Sequence, residues 1–203
     1  MTLAEHYYSQ KPDVASNPKF WDYTLKGRTF RIKSDNGVFS KNDIDFGSRL
    51  LVETFNLNNE IQGDLLDVGC GYGPIGLSIA ASYPERKVEM IDINSRAVEL
   101  AKENAKLNEI TNVNIHESNC LDKVESDDFA AILTNPPIRA GKKVVHDIYE
   151  ESFAKLRTGG QLWVVIQKKQ GAPSSMDKLE MLFDNVRVVA KEKGYFILVS
   201  EKN

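Results

Sequence analysis

The sequence predicts an α/β fold, a mostly parallel sheet with helices on both faces, and three observations predict it. From Asp64 onward short apolar runs alternate with helical stretches, the pattern of βαβ units around a parallel sheet. The runs are apolar throughout rather than at every second residue, as strands covered on both faces are. A glycine-rich segment joins the first of these runs to the first helical stretch, where a doubly wound sheet binds its ligand.

Taken in order, the elements begin after a polar start. Over residues 28–34, Phe30 and Ile32 alternate with Arg31 and Lys33, which suits a half-buried strand. Gly37 marks a turn. Phe46, Leu50, Leu51 and Phe55 recur at helical spacing, so a short amphipathic helix ends near Asn56 to Asn59. Residues 1–59 are read as an N-terminal extension packed on a main domain over 60–203, the two making one globular unit.

Within that main domain, strands are expected over 65–68, 88–93, 113–116, 130–134 and 161–166. Helices are expected over 75–82, 95–107 and 144–156. Asn94 or Ser95 is the N-cap of the second, and Gly159 with Gly160 ends the third. A short helix over 176–183 precedes two apolar runs, 186–190 and 195–199, which form a hairpin that closes the sheet.

Composition narrows the function. A chain of 203 residues, 41% hydrophobic, buries a full core within one domain. Its formal charge of −3 does not advertise a polyanionic partner, so nucleic acid must be met by a local basic patch. The longest apolar runs, such as 162–166, fall far short of the roughly 18 residues of a membrane span. Met1 to Gln10 holds Glu5, His6, Tyr7 and Tyr8 where a signal peptide needs a basic flank and an apolar stretch. Two cysteines, Cys70 and Cys120, make no disulfide framework, and the expected compartment is the reducing cytoplasm.

The glycine-rich segment, residues 67–76, reads Asp-Val-Gly-Cys-Gly-Tyr-Gly-Pro-Ile-Gly. Glycines there permit positive φ and close approach of a ligand to the backbone. Asp92, at the end of the next strand, is placed to accept hydrogen bonds from ribose hydroxyls. Two cofactors compete. Gly71-x-Gly73-x-x-Gly76 satisfies the dinucleotide fingerprint, whereas S-adenosylmethionine has no pyrophosphate and carries cationic groups that Asp67 can answer. The second is favoured, and a turn that only packs helix on strand is the bland alternative. Asn119, after the third strand, is a candidate for the adenine amine.

Asn135-Pro136-Pro137-Ile138 ends the fourth strand, at the carboxyl edge of the sheet. Prolines stop the strand and stiffen the chain. The asparagine oxygen and the Pro136 carbonyl, expected to lack a neighbouring donor, can both accept from one planar amino group. Two acceptors pull such an amine towards tetrahedral geometry and free its lone pair for in-line attack, catalysis by positioning and electrostatics. No metal is needed. His6, His116 and His146 have no metal-ligand spacing with the cysteines, and Cys70 is read as a small turn residue rather than a nucleophile. Trp163 and Phe153 are assigned to the core.

In this order and spacing, the glycine segment, Asp92, Asn119 and Asn135 to Ile138 resemble the class I S-adenosylmethionine-dependent methyltransferases. Within them the chain is similar to the small-domain family that includes bacterial small-subunit ribosomal RNA guanine-N(2) methyltransferases. Gly37-Val38-Phe39-Ser40, Asp45-Phe46-Gly47-Ser48 and Arg139-Ala140-Gly141-Lys142 share in that likeness. It implies a Rossmann-like, seven-stranded sheet with an antiparallel last strand and S-adenosylmethionine in the glycine turn. By position, Asp67 faces the methionine end, Asp92 the ribose, Asn119 the adenine, and Asn135 with Pro136 the target amine. The cofactor set comprises Asp67, Gly69, Cys70, Gly71, Gly73, Asp92, Ile93, Asn119, Cys120 and Asn135; the catalytic set is Asn135, Pro136, Pro137 and Ile138.

Ile138 departs from the family, where Tyr or Phe is frequent, so base stacking must come from another side chain. An Asp is commoner than Asn119. Arg139, Lys142, Lys168 and Lys169 are expected to form a phosphate-binding lip at the carboxyl edge. The implied activity is methylation of a guanine amine in small-subunit ribosomal RNA, by a monomer or homodimer. A glutamine amide, an adenine amine and a non-catalytic cofactor-binding module remain as alternatives.

Overall fold

A computed structural model describes residues 14–40, 42–58 and 60–203. The expectations placed on Met1 to Gln10, His6 among them, and on Asn59 lie outside the described residues. Among the described residues no helix is long and apolar enough to cross a membrane.

The chain opens with a hairpin of β1 (Lys19–Leu25) and β2 (Arg28–Ser34), followed by α1 (Phe46–Thr54). The main sheet then grows through β3 (Leu65–Val68), α2 (Pro74–Ser82), β4 (Val88–Asp92), α3 (Ser95–Leu107) and β5 (Val113–Glu117). Its second half runs through β6 (Phe129–Thr134), α4 (Lys142–Lys155), β7 (Leu156–Gln167), α5 (Ala172–Phe183), β8 (Arg187–Glu192) and β9 (Tyr195–Glu201). The seven strands lie in the order β5-β4-β3-β6-β7-β9-β8. Strands β3 to β7 pair in parallel, and β9 slots antiparallel between β7 and β8. This is the expected fold class.

Successive strand side chains point to opposite faces, so the central strands of the sheet feed two cores. On β7, Trp163 and Val165 join the core under α1, α2 and α3, while Leu162, Val164 and Ile166 join the one under α4 and α5. Phe153 packs against the second. The strand order reverses between β3 and β6, which opens the crevice at their carboxyl ends.

The N-terminal hairpin was half missed by sequence reading, because β1 sits in what reads as a polar start. Trp21, Tyr23 and Leu25 nevertheless alternate ahead of Lys26-Gly27, both of positive φ, as a two-residue hairpin turn requires. Two asparagines one helical turn apart, Asn104 on α3 and Asn108 at its C-cap, bind this hairpin. Asn108 pairs with the Arg31 backbone, accepting its N–H at 2.9 Å and donating to its carbonyl at 2.8 Å. Asn104 does the same to Lys33, at 2.7 and 2.9 Å. The side chains stand in for a neighbouring strand, and fully buried Asn104 also donates to the Tyr72 carbonyl inside the glycine segment.

One helix end differs from expectation. Helix α4 stops at Lys155, with the Leu156 N–H on the Ser152 carbonyl, and not at Gly159 and Gly160. Those glycines lie in the irregular start of β7, where the register with β6 shifts between Phe129 and Ala131. A Cβ on Gly160 would lie 2.6 Å from the Phe129 carbonyl, so close strand approach, not helix termination, requires glycine there.

Candidate active site

The glycine segment leaves β3 with the Gly69 and Cys70 N–H groups both on the Ile91 carbonyl, at 2.9 Å each. Its glycines divide by role. Gly69 and Gly71 have positive φ and only open space where a Cβ would project. Gly73 instead packs inward, where a Cβ would meet Leu77 at 2.7 Å, and at Gly76 one would meet Met90 at 2.7 Å. The first pair leaves room for a ligand against bare backbone; the second seats α2 on β4.

Asp67 is buried beneath the turn and accepts the Gly76 N–H at 2.8 Å through one oxygen, while the other has no hydrogen-bond partner among the described residues. Burial pushes its carboxyl up to about 7, against the Gly76 N–H, and the charge of Asp92 adds to the rise. Asp92 accepts from the Gly71 and Asn94 N–H groups, at 2.8 Å each. A carboxylate has about four acceptor sites, so it keeps capacity for a diol. Burial raises its pKa too, and the N–H groups of Asn94, Gly71 and Ile93 hold it back. Burial, with Asp92 and Asp67 nearby, pushes the Cys70 thiol well above its usual range, which suits a turn residue and not a nucleophile.

An open cleft of about 990 Å³, mouth included, lies above this turn. Gly69, Cys70 and Gly71 form its floor, and Asp92, Ile93, Ser118 and Cys120 one wall. The opposite wall holds Asn135, Pro136 and Pro137 with Asp45 and Ser48. Val38, Phe39 and Ser40 roof it, and Phe39 is 48% exposed at the rim. Ser40 and Cys120 both carry left-handed φ, 52° and 45°, a costly backbone state for non-glycine residues.

Several expected residues stand outside the cleft. Asp67 lies beneath it, and Gly73 faces α2. Asn119 is exposed and donates to Asp122 at 3.3 Å, whereas its neighbours Ser118 and Cys120 line the wall. Ile138 is half-buried against the α4 and α5 core. Arg139, Lys142, Lys168 and Lys169 are exposed.

At the end of β6, Asn135 donates from its amide nitrogen to Asp45 Oδ2 at 3.0 Å and to Ser48 Oγ at 2.9 Å. Both amide hydrogens are therefore committed, and Oδ1 remains as an acceptor without a partner among the described residues. Asp45 is itself the N-cap of α1, accepting the Ser48 N–H at 3.1 Å. Tyr195 bonds the same carboxylate, and its phenol is raised by burial first and by Asp45 second. The Pro136 carbonyl corrects an expectation, because it accepts the Ile138 N–H at 2.8 Å across a tight turn at Pro137. One lone pair is left for a second donor.

Sequence reading placed Phe46 on the apolar face of a helix and carried Asp45, Gly47 and Ser48 only as a likeness, with no role at the site. The signal was an N-cap Asp followed three residues later by Ser, but nothing in the sequence ties that cap to Asn135.

The model of the methyltransferase small domain matches residues 29–199. The chain is 57% identical over 201 residues to the uncharacterized protein YbxB of Bacillus subtilis, covering 98% of this chain and all of that protein. It is 28% identical to the ribosomal RNA large subunit methyltransferase G of Klebsiella pneumoniae, over 97% of this chain but 53% of the relative. The chain thus spans about half the length of that relative. Among solved structures, a 16S rRNA N2 guanine methyltransferase of T. Thermophilus in complex with AdoMet and guanosine shares the fold, with a TM-score of 0.81 at 23% identity. That superposition covers 95% of this chain and 52% of the other. With the matched model spanning most of its length and the crevice where such a fold places its ligand, the chain belongs to the methyltransferase small domain family.

Proposed function

We propose that this chain transfers the methyl group of S-adenosylmethionine to the exocyclic amine of a guanine in ribosomal RNA, with small-subunit RNA as acceptor. The observation that carries the reading is the locked amide of Asn135, which offers only its oxygen to the cleft.

The residues present suit the cofactor. Gly69 and Gly71 leave open space along bare backbone, Asp92 retains acceptor capacity for ribose hydroxyls, and Ile93, Ser118 and Cys120 offer a wall for the adenine. Asp67 has one buried oxygen below the turn with no partner among the described residues. S-adenosylmethionine, when bound, supplies an electrophilic methyl on a sulfonium. Asn135 Oδ1 and the Pro136 carbonyl accept from the target amine, weaken its conjugation with the ring and orient its lone pair. Pro136 and Pro137 hold both acceptors on rigid backbone. Ile138 lies in the same rigid turn and offers no ring, so we assign stacking to Phe39 at the rim. We read residues 1–59 as an extension to a main domain over 60–203, with its Val38 to Ser40 segment roofing the acceptor side, and Arg139, Lys142, Lys168 and Lys169 as a phosphate lip.

The test is transfer of labelled methyl from S-adenosylmethionine to deproteinised ribosomal RNA and to each ribosomal subunit, with nucleoside analysis. N2-methylguanosine made by wild type and lost in Asn135→Ala, with cofactor binding retained, is the expected outcome. Label in protein alone would overturn it. A second reading, large-subunit RNA, is favoured by the 28% identity over 97% of this chain to a large-subunit enzyme, and the subunit that takes the label separates the two.

A further inference from the structure

The tip of the β8–β9 hairpin lies at the carboxyl edge of the sheet, because β9 runs antiparallel and Tyr195 pairs with Gln167 at the end of β7. Lys193 and Gly194 form its two-residue turn, both at positive φ. The Gly194 carbonyl accepts the Lys168 N–H at 2.8 Å, so the turn is tied to the segment that follows β7. Four lysines are thereby gathered at one place: Lys168, Lys169, Lys191 and Lys193, all exposed. Glu192 is the one acid among residues 168–170 and 191–195.

Lys33, Lys143 and Lys178 each pair with a carboxylate, but among the described residues none of these four does. Two of them rest instead on rings. Lys193 Nζ lies 4.4 Å from the centre of Phe46, and Lys191 Nζ lies 4.9 Å from that of Phe196. Phe46 is the neighbour of Asp45, the residue that holds Asn135, and its ring lies 5.6 Å from that of Tyr195. The lysine cluster is therefore joined to the proposed target-amine site by a short chain of contacts. On a chain of net negative charge, such a concentration of unpaired cations beside a cleft selects a polyanion, and aromatic rings interleaved with it suit nucleotides.

We infer that this hairpin tip is an RNA-backbone contact surface, with Lys193 and Lys168 gripping phosphates beside the target base and Lys169 and Lys191 flanking them. The inference rests on the RNA reading of the active site and adds Lys191, Lys193 and the hairpin to it.

Binding of deproteinised ribosomal RNA, measured over a range of sodium chloride concentrations, tests it for wild type, Lys193→Ala and the Lys168→Ala/Lys193→Ala pair. Each lost phosphate contact on single-stranded RNA lowers the slope of log affinity against log salt by about 0.7, so the pair should lose about 1.4. A Lys102→Ala/Lys106→Ala control on exposed α3 should bind RNA as wild type does, and S-adenosylmethionine binding reports the fold of every variant. Unchanged slopes in the pair, or wild-type binding that ignores salt, would overturn the surface. Retention of polyglutamate in preference to RNA would assign it to an acidic polypeptide and overturn it equally. Salt-sensitive RNA binding lost in the pair, with no methyl entering RNA, leaves the surface standing and fells the catalytic reading; methyl transfer with an unchanged KM in the pair does the reverse.

Discussion

Asp45 and Asn135 lie 90 positions apart in the chain, yet one carboxylate oxygen of Asp45 accepts the Asn135 amide at 3.0 Å. An ionised carboxylate only accepts, so the amide nitrogen must face it and the amide oxygen must face away. Asp45→Asn removes that discrimination while keeping a good N-cap. The variant is expected to fold and to bind S-adenosylmethionine normally, with kcat down about 10- to 100-fold, less than the roughly 100- to 1000-fold of deleting an oriented polar group outright, because the amide stays in place and loses only its fixed orientation. Steady-state kinetics beside cofactor titration would check this. Wild-type kcat would show that the amide orients itself.

Asp67 makes stability depend on pH. Its folded pKa, about 7, lies above the unfolded value near 4. The folded state then binds the proton more tightly, so the Asp67 contribution is full below pH about 4 and is lost as pH rises towards 7. Asp67→Asn should flatten that part of the profile. Urea midpoints of the ligand-free protein at pH 5 and pH 8 are the measurement, and the gap between them should narrow in the variant.

Asn104→Ala leaves the Lys33 N–H and carbonyl and the Tyr72 carbonyl without their partner. Buried unpaired groups cost about 1 to 3 kcal/mol each, and partial access to water reduces the sum. The expected loss is about 2 to 4 kcal/mol, read by chemical denaturation. Loosening of the glycine segment should weaken cofactor binding in the same variant.

Gly71→Ala and Gly73→Ala should fail differently. At Gly71 the new methyl enters open space beside the cleft floor, so the fold loses about 1 to 2 kcal/mol for a left-handed residue and cofactor affinity falls. At Gly73 the methyl meets Leu77 at 2.7 Å, and stability falls further. Thermal unfolding with and without S-adenosylmethionine separates the two effects.

Much of this was legible beforehand, because βαβ alternation is a local signal. Strands β3, β4, β5 and β6 and helices α2 and α3 sit within a residue of their expected places, whereas β7 begins five residues earlier than its apolar run. Strand β1 was not seen, since a polar Lys19 opens its inner face and an apolar Phe20 stands with Asp22 and Thr24 on the outer one, which masks the alternation of Trp21, Tyr23 and Leu25. The end of α4 was misplaced because Gly159 and Gly160 read as a cap, whereas long-range pairing with β6 decides their use. The glycine turn and Asn135 to Pro137 were visible as motifs. The Asp45 and Ser48 contacts to Asn135 were not, because partners separated by 87 to 90 positions leave no periodicity to read.

The docking of β2 on Asn104 and Asn108 also bears on how the site comes into being. The cleft roof precedes the whole sheet in the chain, while the strand end it must hold follows β6. Bringing the two together costs loop-closure entropy, and the contact turns a bare crevice into a chamber. A chain begun at residue 60 would still carry all seven strands of the sheet and all of its glycine turn. It would nonetheless expose two amide side chains that bind a strand, and leave the glycine turn beside an Asn135 amide with neither Asp45 nor Ser48 to hold it.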